Sequence, residues 1–232
     1  MAWNMMLMVW RNKYAAITSV ISSGQTVDGL VVSSGMSIRV HDVLNSANVN
    51  FSGAVYVLSG GTANNIMVNS GNWACGLKVY DGGQINNTTL NSGGELVVFS
   101  GGTASNTTVN KIGSLSVSSG GMANNTTVNG GGYIDVFRDG TADGTTVNSR
   151  GTIFIHSGGT ASEIIISSGG SVFFTIASDT YIQGNSNGST FEIKTPYYSL
   201  TYQDGENSVK VSGVAAENIS PKFGDDGSEQ YG

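Results

Sequence analysis

From residue 25 to about residue 178 the chain repeats itself, and the period is 19 residues. Segments Gly83–Gly101 (GQINNTTLNSGGELVVFSG), Gly102–Gly120 (GTASNTTVNKIGSLSVSSG) and Gly140–Gly158 (GTADGTTVNSRGTIFIHSG) align without gaps. One apolar anchor recurs at Val32, Val49, Val68, Leu90, Val109, Val128, Val147 and Ile166, at spacings of 17, 19, 22, 19, 19, 19 and 19. A second anchor follows at Ile38, Val55, Leu77, Leu96, Leu115, Ile134, Ile153 and Val172, and a third lies two residues beyond it. A unit this short cannot close a hydrophobic core by itself. Its apolar side chains leave water only if copies stack, each rung pairing its backbone with the rungs above and below.

Each unit predicts two short strands. Thr-Thr-Val-Asn is β-branched and four residues long, and Leu-x-Val-x alternates with the period of a half-buried strand. Ser-Gly-Gly and Asn-Ser-Gly separate them and supply the positive φ angles that sharp corners require. The fold expected is all-β: a single parallel β-solenoid (β-helix) of about eight 19-residue rungs with terminal caps. Segment 25–178 is the solenoid, 1–24 an N-terminal cap or atypical leader, 179–213 a C-terminal cap and 214–232 an acidic mobile tail. The apolar start Met1–Trp10 carries its charges, Arg11 and Lys13, on the wrong side for a secretory leader. The roughly 50 residues after the repeats are too few for a membrane β-barrel.

Equivalent positions form ladders along such a rod. The Ala63, Ala104, Ala123, Ala142 and Ala161 ladder predicts a tight inward corner. Thr88, Thr107, Thr126 and Thr145 alternate with Leu30, Ile66 and Ile164 in the same slot, which predicts a buried column. Asn50, Asn69, Asn91, Asn110, Asn129 and Asn148 fall after the first strand. There asparagine tolerates left-handed backbone and can pass side-chain hydrogen bonds from rung to rung. Cys75, in a three-residue insertion beside Trp73, is expected to form a bulge packed on the rod.

Composition removes several functional classes. Charged residues are 11% of the chain and the net charge is −6, with no basic patch for phosphates, so nucleic acid is not an expected partner. No run approaches the ~20 apolar residues of a membrane-spanning helix. A single cysteine excludes an intramolecular disulfide framework and a cysteine-based zinc site. No cofactor motif is present, and neither catalytic nor metal-binding residues are assigned. The outward column of the second strand, Arg39, Tyr56, Lys78, Val97, Ser116, Asp135, Phe154 and Phe173, keeps its acids apart, unlike the clustered carboxylates of a calcium-dependent lyase. His41 and His156 share one ladder but stand six rungs apart, ~29 Å at the spacing of stacked strands. Both are expected to be exposed. Asp135, Asp139 and Asp143 could crowd one corner, where the expected state is a solvated loop rather than a calcium site. A Thr-Thr pair offers one outward threonine per rung, which does not suit an ice-binding face. The outward aromatics Tyr56, Tyr80, Phe99, Phe137 and Phe154 are the candidate contact residues, with a merely stabilising aromatic ladder as the alternative.

The motif GGTAsNTTVNsGGxLxVxSGG resembles the AIDA-type repeats of autotransporter adhesins, and is similar more broadly to filamentous-haemagglutinin-like β-helix passengers. Gly101–Ser119 carries nearly the whole pattern contiguously, and the resemblance spans about two thirds of the chain. It implies a bacterial cell-surface or secreted, outer-membrane-associated passenger that mediates adhesion or self-association without catalysis. The implied partners are a host or bacterial receptor, a glycan, or another copy of the chain. The resemblance also implies modification of repeat serines and threonines by heptose through a dedicated glycosyltransferase, for which the outward Thr89, Thr108, Thr127 and Thr146 are the candidates. Asn87, Asn106 and Asn125 head N-x-T sequons but are simply part of the repeat. The alternatives are a polysaccharide-binding or lyase-like β-helix and a structural spacer.

Overall fold

A computed structural model describes residues 17–69, 76–167, 169–175, 181–186, 189–194, 199–201 and 208–212. The insertion with Trp73 and Cys75, the acidic segment 214–232 and the start Met1–Trp10 lie outside the described residues. So do the side chains of the cap aromatics Tyr181, Phe191, Tyr197, Tyr198 and Tyr202.

The chain is a parallel β-solenoid of about eight turns, and equivalent residues 19 apart pair in register along most of its length. Leu96 pairs with Leu115 and Val98 with Val117; Leu115 then pairs with Ile134, and Ile134 with Ile153. The described strands form a ten-stranded sheet and a sixteen-stranded sheet. The ten-stranded sheet contains the Leu-x-Val segments, extended at one end by Ile17–Ile21 against Met36–Val40. At the other end Ser171–Thr175 pairs with Ser208–Ser212. Tyr181–Ser186 pairs in parallel with Thr160–Ile166. The direction then reverses: Tyr181–Ser186, Ser189–Lys194 and Ser199–Thr201 form an antiparallel meander at the edge of the sixteen-stranded sheet.

Each full turn has three strand segments rather than two, because the first Thr-Ala-x-Asn stretch is itself extended. In Thr103–Val109 the buried residues are Ala104, Thr107 and Val109. Strict alternation would bury residues two apart, yet Ala104 and Thr107 are three apart. Asn106 between them has φ 55°. A left-handed residue resets the alternation and turns the strand through a corner while hydrogen bonding continues on both sides. Gly29, Asn65, Asn87, Asn125 and Gly144 occupy the same place with φ between 54° and 68°, residue types that tolerate this backbone best. The alanine ladder therefore lies in mid-strand, fully buried, and not at a corner as expected. The left-handed asparagines are Asn65 and the sequon residues Asn87, Asn106 and Asn125, not the Asn50–Asn148 ladder.

That second asparagine ladder carries the hydrogen-bond role expected of it. Asn69 donates its amide to Asn50, Asn91 to Asn69, Asn110 to Asn91, Asn129 to Asn110 and Asn148 to Asn129. The hydroxyl of Ser167 continues the chain by donating to Asn148. Each amide is half-buried at a corner, and the neighbour one rung away satisfies it.

The core runs the length of the rod. Ala104, Val109, Leu115 and Val117 in one rung have no exposed surface, and each buried valine or leucine contributes about 1.5–3 kcal/mol. The Thr88, Thr107, Thr126 and Thr145 column is buried as expected, at 0–1% exposure. Their four hydroxyls make no hydrogen bond among the described residues. A buried hydroxyl without a partner costs free energy, and the same column accepts Ile66 and Ile164. Thr107→Val keeps the branched shape and removes the hydroxyl, so it should raise stability by about 1 kcal/mol. A denaturation midpoint unchanged or lowered would contradict this.

Candidate interaction surface on the Leu-x-Val face

The ten-stranded sheet presents two outward columns of interest. One passes through the middle of each strand: Tyr56, Lys78, Val97, Ser116, Asp135, Phe154 and Phe173 are successive partners. The other follows the last buried valine or isoleucine: Tyr80, Phe99, Ser118, Phe137 and His156 each donate a backbone N–H to the preceding rung. Both columns point outward because Leu and Val or Ile of the same strands point inward.

The five aromatic candidates do not form one patch. Tyr56, Tyr80 and Phe99 stack on one another, with centroids 6.5 Å apart for the first pair and 4.8 Å for the second. Phe137 stacks on His156 at 4.7 Å and 4°. Phe154 stacks on Phe173 at 5.1 Å and meets Tyr133 edge-on. The rung that presents Ser116 and Ser118 separates the first stack from the other two, so that the aromatics fall into two groups along the rod, one on either side of it. Stacking along the rod contributes about 0.5–1.5 kcal/mol per pair beyond area burial.

Residues not singled out from the sequence join these groups. Lys78 holds its Nζ 5.7 Å from the Tyr56 ring centre. His156 is not simply exposed: its Nε2 lies 2.9 Å from Oδ1 of Asp135, one rung away. The signal for both was register, since residues separated by one period become neighbours whatever their separation in sequence. His41, at the far end of the ladder, is exposed as expected. Asp135, Asp139 and Asp143 do not share a corner. Asp135 faces His156, Asp139 occupies a left-handed turn with φ 58°, and Asp143 accepts from the Ser162 hydroxyl. Among the described residues no group of three or more His, Cys, Asp or Glu is placed to hold a metal.

Thr89, Thr108, Thr127 and Thr146 lie side by side on adjacent rungs of the middle segment, half-buried and facing outward. Met67 and Ile165 continue the column on either side of the four threonines.

Glu95, at the start of a Leu-x-Val strand, has its carboxyl pushed above the ordinary range by burial, against the opposing pull of the Lys78 ammonium. The folded chain therefore binds this proton more tightly than the unfolded chain. Its contribution to stability is full below the unfolded value, about 4.3, and is lost as pH rises through the folded value. Glu95→Gln should flatten the stability profile across that acidic window. A profile identical to the parent's there would reject the assignment.

These features define a parallel β-solenoid whose outward side chains form columns along the stack. The family model described as "adhesin of bacterial autotransporter system, probable stalk" (AIDA) matches residues 79–132 and 119–170, so the central repeats are similar to those of that family. Among solved structures, the chain is similar to the TibC-catalyzed hyper-glycosylated TibA55-350 fragment. The TM-score is 0.61 at 25% identity, over 86% of this chain and 85% of that one. A search of curated protein sequences gives no match.

Proposed function

We propose that this chain is a non-enzymatic, adhesin-like passenger module, displayed at the bacterial surface or secreted, that binds through repeated weak contacts along a rigid rod. The observation that carries this reading is the in-register stack. Outward positions on the Leu-x-Val face recur at one-rung spacing, ~4.8 Å, and the polar and aromatic side chains they carry make contacts that are weak one by one and sum through avidity. The similarity of the central repeats to that family supports the adhesin class. The rod comprises segment 25–178, with 179–213 as its C-terminal cap.

The purified chain should clump cells or coat a surface. Phe99→Ser combined with Phe137→Ser removes one ring from each aromatic group and should abolish that activity while the β-sheet circular dichroism spectrum is retained. Undiminished coating by the folded double variant would reject this surface. A calcium-dependent release of unsaturated sugars from acidic polysaccharide would instead reject the non-enzymatic reading.

The outward threonines Thr89, Thr108, Thr127 and Thr146 are the proposed acceptors for a glycosyltransferase partner. Their outward, half-buried hydroxyl column supports this, as does the similarity to a fragment that is itself hyper-glycosylated. Co-production with such an enzyme should add sugar mass that falls when all four are changed to valine.

A further inference from the structure

We propose that Phe99 and Phe137 wall a slot on the Leu-x-Val face that takes one indole ring, the tryptophan side chain of a bound protein. This rests on the adhesin reading and names the chemistry of its contact.

The slot arises within one column. Tyr80, Phe99, Ser118, Phe137 and His156 occupy successive rungs, each donating its backbone N–H to the rung before. All but Ser118 carry rings. Tyr80 covers one face of Phe99, with centroids 4.8 Å apart and planes inclined by 13°. His156 covers one face of Phe137 at 4.7 Å and 4°. The remaining faces of the two phenyl rings look toward each other across Ser118, whose side chain is too short to fill the space. Phe137 is 41% exposed, as a ring with one face uncovered should be. Tyr80 and His156 back the two walls, and His156 is itself tied to Asp135, so the slot is formed before a ligand arrives.

The spacing selects a flat ring. Carbon atoms in contact lie about 3.5 Å apart, so offset-stacked rings repeat at that plane separation, and two rungs hold Phe99 and Phe137 about 7 Å apart. One flat ring touches both walls of such a gap. A pyranose chair is thicker, because hydrogens stand above and below its ring, and it would force the walls apart.

The floor selects indole over a single ring. Ser116 also faces outward, two residues from Ser118 on the same strand and about 6.8 Å away. The floor of short side chains is thus two columns wide, the length of a fused bicycle. In the second column Val97 and Asp135 are the partners of Ser116 on either side. With its six-membered ring between the phenyls, an indole places its pyrrole part between Val97 and Asp135. The edge that carries the rest of the tryptophan residue then faces outward and the N–H edge faces the rod. Asp135 accepts from His156 at Oδ1 and has Oδ2 for the indole N–H.

The probe is N-acetyltryptophanamide, titrated into the full chain and followed through the NMR signals of the Phe99 and Phe137 rings. It should bind in the millimolar range, with N-acetylleucinamide and methyl glucoside roughly tenfold weaker or more. Phe137→Leu removes one wall and should weaken binding about tenfold. Ser118→Phe keeps both walls and supplies the missing ring from the chain itself. It should abolish binding and raise the denaturation midpoint by completing the ladder, with circular dichroism confirming the fold of each variant. Equal binding of the leucine amide, tighter binding of methyl glucoside, a Ser118→Phe variant that still binds the probe, or one less stable than the parent would each overturn the proposal. Surface coating is measured on the same proteins. A parent that coats without binding the probe removes the slot alone, whereas one that binds the probe without coating removes the adhesin reading.

Discussion

Gly113→Ala should lower stability by about 3 kcal/mol or more, while Ile112→Gly, one residue earlier in the same turn, should raise it by about 1 kcal/mol. The two halves of this turn have different requirements. Gly113 does not adopt a positive φ. A Cβ placed on it would lie 2.7 Å from the carbonyl oxygen of Leu90 on the preceding rung and 2.9 Å from that of Asn110. Both obstacles are backbone, which cannot move without breaking the ladder. Ile112 stands in the left-handed region at φ 63°, where a β-branched residue is strained, and its side chain is 59% exposed. Glycine there relieves strain and leaves little unburied. Chemical denaturation of the two variants checks both signs. Effects of the same sign would mean that the two positions of this turn do not have opposite requirements.

The second large effect is expected at the asparagine ladder. Asn110 donates to Asn91 at 2.8 Å and accepts from Asn129 at 2.8 Å. Asn110→Ala breaks both bonds and leaves a half-buried carbonyl on one side and a half-buried amide on the other. The cost should be about 2–3 kcal/mol, a net hydrogen bond of ~1 kcal/mol on each side plus the desolvated groups left behind. Asn50 has one such bond, to Asn69, so Asn50→Ala should cost about half as much. If the middle and the end of the ladder respond alike, the chain of amides is not cooperative and its members act only as local turn residues.

The stack was legible in the repeat itself, because period, apolar pattern and turn chemistry agreed at each unit. The buried threonine column was readable from a substitution pattern: Ile66 and Ile164 stand where other units have threonine. Reading Ala104 and its counterparts as a corner failed for a specific reason. Sequence periodicity shows which residues are small and apolar, but not which neighbour adopts a positive φ. The third strand segment was missed for the same cause, since Asn106 reads as a turn residue yet here bends a strand without ending it. The outward aromatics were found one by one. That they divide into two groups depended on Ser116 and Ser118 occupying the rung between them. The pair His156–Asp135 was overlooked because residues 21 apart in sequence look remote when ladders are read one column at a time.

What the sequence by itself determined is the architecture: a 19-residue unit with five inward positions and two glycine corners has no way to bury its apolar side chains except beneath its own copies. What only the tertiary structure decided is the lateral chemistry of the rod. A side chain's neighbours across rungs depend on where it reaches from its column, as His156 does toward Asp135 and Lys78 toward Tyr56. Stacking fixes the columns, but rotamers and corner geometry, set by packing in three dimensions, fix which columns touch.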